Sequence, residues 1–197
     1  MSSKKISRCP WVGKYSPMID YHDKEWGVPQ HEDKILYEFL ILEGAQAGLT
    51  WKTILDRREE YRKVFAGFDP LIVSKFSDDK IQSILDNSGI IKNRLKVKSA
   101  ITNAQILIKI QNEFGSFNNF IWDIIGNNPI INNFTQLDQI PPSTELSKKM
   151  SKLLKKRGFS FVGPTICYAF MQAVGMVNDH LISCFRYNEI NNISPEK

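Results

Sequence analysis

Cysteine and histidine are scarce: there are three of each in 197 residues. An odd cysteine count excludes a fully paired disulfide framework and leaves metal binding, reactivity or core packing for these thiols. No apolar run approaches the length needed to cross a bilayer. The start, "MSSKKISRCPWVGKY", lacks the apolar core of a signal peptide, so a cytoplasmic, nucleoid-associated location without membrane contact is the expectation. Strand-like alternation never lasts beyond a few residues, and no repeat at solenoid period is visible, which excludes β-sandwich and repeat architectures. Acidic charge is also in deficit. The net charge of +5 favours a polyanionic partner without identifying it.

What the chain does have is a hydrophobic share of 42% beside 24% charged residues, ordinary for a globular protein. Its length suits a single unit, 1–197, able to bury a real core. Apolar residues recur at three and four, so the fold class is all-α. Asp33 is placed to cap a helix carrying Ile35, Leu36, Phe39, Leu40 and Glu43. A second helix starts near Trp51 and runs on through Ile54, Leu55, Val64 and Phe65. Ser77 or Asp78 opens a third, and Lys92 to Phe114 is the longest. A short helix spans Phe117 to Ile125. The Asn-rich "GNNPIINNFTQLDQIPPST" is an irregular crossover, and residues 188–197 form a polar, disordered tail.

Beyond the crossover, Ser143 or Thr144 caps a helix rich in lysine, and Pro164 opens the next. Between them, "GFSFVG" makes a tight turn bracketed by Gly158 and Gly163. Two readings apply. In one, the start of the second helix offers N–H groups and Thr165 to a phosphate, while Lys155, Lys156 and Arg157 attract it. In the other, the segment is an αα-hairpin with a solvated basic face. "NSGIIKNRLKVKSAI" is a weaker candidate of the same kind.

Cys9, His22, His180 and Cys184 supply the Cys₂His₂ donor set that suits tetrahedral zinc. The close Cys-x-x-Cys spacing of zinc fingers is absent, so spacing leaves open buried thiols and ordinary histidine hydrogen bonds. A four-ligand site would be structural, clipping 9–22 to 180–184. Cys167, on an apolar helix, fits the core, and His31 fits a loop.

"YHDKEWG" and "LEGAQAGLTW" hold the most chemistry. Glu43 falls on the apolar face of its helix, where a charge is costly unless paired. Gly44, Gln46 and Gly48 leave room for close backbone approach, and Trp51, Tyr21 and Trp26 lie near in sequence. A buried acceptor among flat aromatic walls suits a planar, cationic ring. Alternatively, the tryptophans are core and Glu43 pairs with a basic residue.

Together with "RCPWV", "FDP" and "LSKKMSKLLKKRGFSFVGPTICYAFMQAVGMVNDH", these stretches resemble the bacterial 3-methyladenine DNA glycosylase I family, over about Cys9 to Cys184. The resemblance implies a helix-hairpin-helix glycosylase fold, with the hairpin at about 144–174. It implies one structural zinc on Cys9, His22, His180 and Cys184. It also implies a base pocket in which Glu43 accepts from the modified adenine, Tyr21, Trp26 and Trp51 form the walls, and Gln46 and Met18 complete the set. The implied activity is flipping of an N3-alkylated adenine from double-stranded DNA and hydrolysis of its glycosidic bond by a monomeric enzyme without a lyase step. Two positions depart from some members: Met18 stands where a further tyrosine is found, and Ala45 where a glutamine is found. Many members of the wider superfamily have an aspartate in a Val-Asp-x-His context. Here "VNDH" puts Asn178 at that place, with Asp179 one residue off, implying dependence on a base already prepared to leave. A zinc-stabilised DNA-binding module without catalysis is the alternative of a different class. A catalytic metallohydrolase would need an open coordination position.

Overall fold

The computed structural model describes residues 6–193, and these form eleven α-helices with one two-residue parallel bridge. Among them no helix is long and apolar enough to cross a membrane. The central element is α2 (Asp33–Gln46), buried without a break from Leu36 to Ala45. A helix apolar nearly all round has to be enclosed by others. It is enclosed by α7 (Arg94–Phe114), α8 (Phe117–Asp123), α10 (Pro164–Ala173) and the short α3 (Trp51–Leu55).

Asp33 does begin α2, but its carboxylate caps another helix. It accepts from the backbone N–H groups of Phe117 and Asn118, at 2.8 and 2.7 Å, and from Gln111 Nε2 at 2.7 Å. The first N–H groups of α8 need an acceptor, and a carboxylate satisfies two of them while favouring the positive helix end. The single helix expected from Trp51 onwards is two, α3 and α4 (Arg58–Val64), broken at Arg57, whose ψ of 0° is non-helical. Short helices α5 (Pro70–Val73) and α6 (Asp78–Asn87) follow, capped by the Asp69 and Ser77 side chains. The longest helix, α7, is capped by Asn93 Oδ1.

The crossover is largely irregular, as expected, but β1 (Ile130–Ile131) pairs with β2 (Val177–Asn178) and ties it to the segment after α10. The hairpin is α9 (Glu145–Arg157) and α10. Thr144 and Ser147 form a reciprocal capping box at its start, and Gly158 ends α9 at φ 98°, a left-handed position that favours glycine. The proposed disordered tail is corrected over its first part. Residues 185–191 form α11 (Phe185–Asn191), because Ile190 is buried and Asn178 Nδ2 donates to Tyr187 O and Asn191 Oδ1. Residues 194–197 lie outside the described residues.

Candidate active site and metal centre

The first helix, α1 (Ser16–Lys24), carries Met18, Tyr21 and His22, and with α2 and α3 it encloses a cavity of about 340 Å³. All six residues read from the sequence as base-binding line it: Met18, Tyr21, Trp26, Glu43, Gln46 and Trp51. The rings meet at angles: Tyr21 lies 5.1 Å from Trp51, and Trp11 lies 5.0 Å from Trp26 in an edge-on contact. Sequence reasoning missed Trp11, Ala169 and Gln172, which also line the cavity, and the crossover residues Leu137 and Ile140. "RCPWV" and "YAFMQAVG" were visible as motifs, but nothing local marks which of their side chains faces inward.

Helix α2 carries two buried carboxylates with opposite fates. Glu38 is neutralised: it accepts from Arg58 Nε at 2.6 Å and from Arg62 Nε at 3.0 Å. Arg58, itself buried, also donates to Glu25 Oε2 at 2.7 Å and lies over the Phe39 ring. This ion network joins the end of α1 to α2 and α4, next to Trp26. Glu43 has no ion-pair or hydrogen-bond partner among the described residues, although only 5% of it is exposed. Burial pushes its carboxyl up to about 8. Burial, and next the proximity of Glu43, push the Tyr21 phenol well above its ordinary value. The cavity therefore offers an acceptor with unused capacity, and a cation entering it would restore the carboxylate's charge. In the same cavity's wall, the Trp51 indole N–H is buried without a hydrogen-bond partner among the described residues.

Two contacts fix α2 against its surroundings. Lys96 Nζ donates to the carbonyls of Ala45 and Ala47, at 2.8 and 2.7 Å, and so caps the helix end that presents Gln46. Gly44 lets the hairpin turn approach. A Cβ there would stand 3.1 Å from Phe161 Cβ and 3.3 Å from its carbonyl oxygen. The turn is held from below by Asn103, buried in α7, which donates to Ser160 O at 3.0 Å and accepts from Ser160 N at 2.9 Å. Ser151 Oγ donates to Val162 O at 2.6 Å. The carboxylate-bearing helix and the turn that follows the basic end of α9 are thus packed against each other.

On the helix ends flanking that turn, Lys155, Lys156 and Thr165 are exposed, and a Cβ on Gly163 would meet nothing within 4 Å. Arg157 donates to Glu113, with one contact at 2.9 Å, and lies over the rings of Phe114 and Phe120, in an ion pair that is itself exposed to solvent. The Asn178 side chain turns away from the cavity, donating to α11 and accepting from His180 N at 3.1 Å.

The four metal-ligand candidates, 171 residues apart at the widest contact, come together with all four side chains buried. Their ligand atoms lie within 4.8 Å of one another. Cys184 Sγ is 3.4 Å from His22 Nε2 and 3.6 Å from His180 Nδ1, and Cys9 Sγ is 3.7 Å from His180 Nδ1. A tetrahedron with zinc–sulfur and zinc–nitrogen bonds of ordinary length has sulfur–nitrogen edges of about 3.6 Å, so the donor set fits a tetrahedral ion. The outer ring nitrogens are fixed as such a site requires. His22 Nδ1 donates to Asp23 Oδ1 at 2.7 Å, and His180 Nε2 donates to Trp26 O at 3.0 Å. Asp23 is in turn held by Arg8. Hydrogen bonding from Cys9, and then from the two imidazoles, holds the Cys184 thiol far below its ordinary value against the effect of burial. The same four residues adjoin the pocket: His180 lies 4.5 Å from the Trp26 ring, and His22 lies 5.3 Å from that of Trp11.

Comparison with known proteins places this architecture. The profile of the family described as methyladenine glycosylase matches residues 11–187. The DNA-3-methyladenine glycosylase of Haemophilus influenzae is 47% identical over 178 residues, covering 90% of this chain and 96% of that protein. DNA-3-methyladenine glycosylase 1 of Escherichia coli is 44% identical over 182 residues, covering 92% and 97%. Among solved structures, a crystal structure of 3-methyladenine DNA glycosylase I superposes with a TM-score of 0.89 at 45% identity, covering 91% of this chain and 98% of that one. The Staphylococcus aureus enzyme, in a structure addressing 3-methyladenine recognition, gives 0.88 at 31% identity, covering 90% and 95%.

Proposed function

The chain belongs to the methyladenine glycosylase family, and from that premise we propose how its residues carry out the family's reaction. It is a base-excision glycosylase that releases 3-methyladenine from DNA. The observation that carries the reading is Glu43, a buried carboxyl with no hydrogen-bond or ion-pair partner among the described residues, in a cavity walled by Tyr21, Trp26 and Trp51. A non-catalytic DNA-binding module has no use for such a group.

Alkylation at N3 makes adenine cationic within the nucleoside. The flipped base stacks on the aromatic walls, and its N–H groups face the Glu43 carboxylate. Ordinary adenine brings no positive charge, so it does not compensate the cost of ionising a carboxyl whose pKa sits at about 8. Discrimination follows from that cost. Water then attacks the anomeric carbon while the bond to the base breaks. The bonding pair neutralises the base, the sugar becomes abasic, and the proton lost from water goes to solvent. Because the departing base is neutral, neither a strong general acid nor a covalent lysine is needed, and the enzyme is monofunctional.

The α9–α10 pair serves as the helix-hairpin-helix. Its Gly163 and Thr165 meet a phosphate of the double-stranded DNA, Lys155, Lys156 and Arg157 supply attraction, and Gly158 ends the first helix. Cys9, His22, His180 and Cys184 hold one zinc ion. With four protein ligands it fastens the two chain ends together and takes no part in the hydrolysis. The enzyme acts as a monomer. Incubation with methylated duplex DNA should release free 3-methyladenine, and Glu43→Gln should lower the rate by about two orders of magnitude. Equal rates for the two proteins would refute the assignment of Glu43. Excision of hypoxanthine as fast as 3-methyladenine would refute the charge-based selectivity.

A further inference from the structure

Behind the pocket, Asp179 is buried to 1% exposure and accepts three hydrogen bonds. Asn132 Nδ2 reaches Oδ1 at 2.7 Å, while Tyr168 Oη and Gln172 Nε2 reach Oδ2 at 2.6 and 2.8 Å. Of these three donors, Gln172 alone lines the cavity. Asp179 itself does not. A carboxylate that accepts cannot face an amide oxygen, so the contact fixes which way the Gln172 amide points. Its nitrogen is turned back to Asp179, and its oxygen is left with no hydrogen-bond partner among the described residues. That oxygen is not sealed in, unlike the Trp51 nitrogen, and it belongs to a residue that lines the cavity.

We propose that Gln172 is a catalytic residue, its side-chain oxygen presented to the sugar and to the attacking water, and that Asp179 is the positioning residue that keeps it an acceptor. The proposal rests on the glycosylase reading above. As the bond to the base breaks, positive charge grows on the anomeric carbon and on the incoming water. An acceptor fixed beforehand stabilises both without reorganising. An amide free to flip would present its NH₂ group half of the time and oppose the same charge. Gln172 accepts a hydrogen bond from the water, not its proton, which passes to solvent. The arrangement also gives Asp179 a use that its position beside Asn178 does not suggest. It stands too far back to touch substrate, and its influence reaches the site through one amide.

The other polar groups of the pocket do not compete for this role. Glu43 meets the base, and Gln46 sits at the C-terminal end of α2, where Lys96 caps the chain. Gln172 comes from α10, as does its neighbour in the wall, Ala169.

The test compares wild type, Gln172→Met and Asp179→Asn. Single-turnover release of 3-methyladenine from methylated DNA is read beside the affinity for free 3-methyladenine, measured by tryptophan fluorescence. Gln172→Met keeps the bulk and removes the acceptor. Its single-turnover rate should fall by about 10²-fold while base affinity changes by less than about threefold. Asp179→Asn should show the same split with a smaller loss, because its amide no longer dictates the orientation of Gln172. Its melting temperature and metal content are recorded, since His180 is adjacent. A Gln172→Met rate within about threefold of wild type overturns the proposal. So does a loss of base affinity equal to the loss of rate, which would make Gln172 part of the pocket's shape only. A wild-type protein that releases no 3-methyladenine would instead overturn the glycosylase reading, and this proposal with it.

Discussion

Replacing Glu43 by glutamine should make the protein more stable while making it a worse enzyme, and the gain should depend on pH. The carboxyl is raised from an ordinary 4.5 to about 8 by burial. At about 1.4 kcal/mol per tenfold, that difference separates the two protonation states by about 5 kcal/mol. The sign follows from proton counting. Between pH 4.5 and 8 the unfolded chain has lost the proton and the folded protein keeps it, so stability falls as pH rises through that window. Below pH 4.5 both states are protonated and the penalty vanishes. Above pH 8 both are ionised and the full penalty is felt. At pH 7 it amounts to about 3 kcal/mol, which a neutral isostere escapes. Urea unfolding of wild type and Glu43→Gln at pH 5 and pH 8.5 measures this directly. The stability gap should be under about 1 kcal/mol at the lower pH and widen to several at the higher. A gap that is constant with pH, or a variant less stable at pH 8.5, would show that Glu43 is paired in solution and would refute the reasoning.

Arg58→Met leaves Glu38 buried without its closest partner and should cost about 3–5 kcal/mol, read by urea unfolding. Gly44→Ala forces α2 and the hairpin turn apart by a few tenths of an ångström. It should cost about 1–3 kcal/mol and weaken binding to duplex DNA more than binding to free base, as titration with each would show. Cys184→Ala should abolish equimolar zinc, measured by elemental analysis, and lower the melting temperature by about 6–12 °C for a loss of about 3 kcal/mol. Because His180 holds the Trp26 carbonyl, the same variant should also shift the tryptophan emission.

Much of the secondary structure was legible because helix ends are decided locally. Ser77, Asn93 and Thr144 cap the helices they precede, and Gly158 stops α9. The exceptions share a cause. Asp33 reaches across to α8, and the polar stretch after Asn188 continues as helix because Asn178, ten residues earlier, supplies donors to it. In each case a partner distant in sequence outweighs the local preference.

The sequence by itself determined the helical class. Residue type and spacing left the roles of Cys9, His22, His180 and Cys184, and of Tyr21, Trp26, Glu43 and Trp51, open, and it was the family resemblance of their motifs that implied a donor set and a pocket. Only the tertiary structure decided which polar groups are satisfied. Glu38 and Glu43 lie five residues apart on one helix and both are buried, yet two arginines from α4 neutralise the first while the second has no ion-pair or hydrogen-bond partner among the described residues. Asp179 likewise reads as a misplaced neighbour of Asn178 until Tyr168, Asn132 and Gln172 are seen to converge on it. A hydrogen bond depends on distances of tenths of an ångström between elements remote in the chain, and such distances are set by packing rather than by any local pattern.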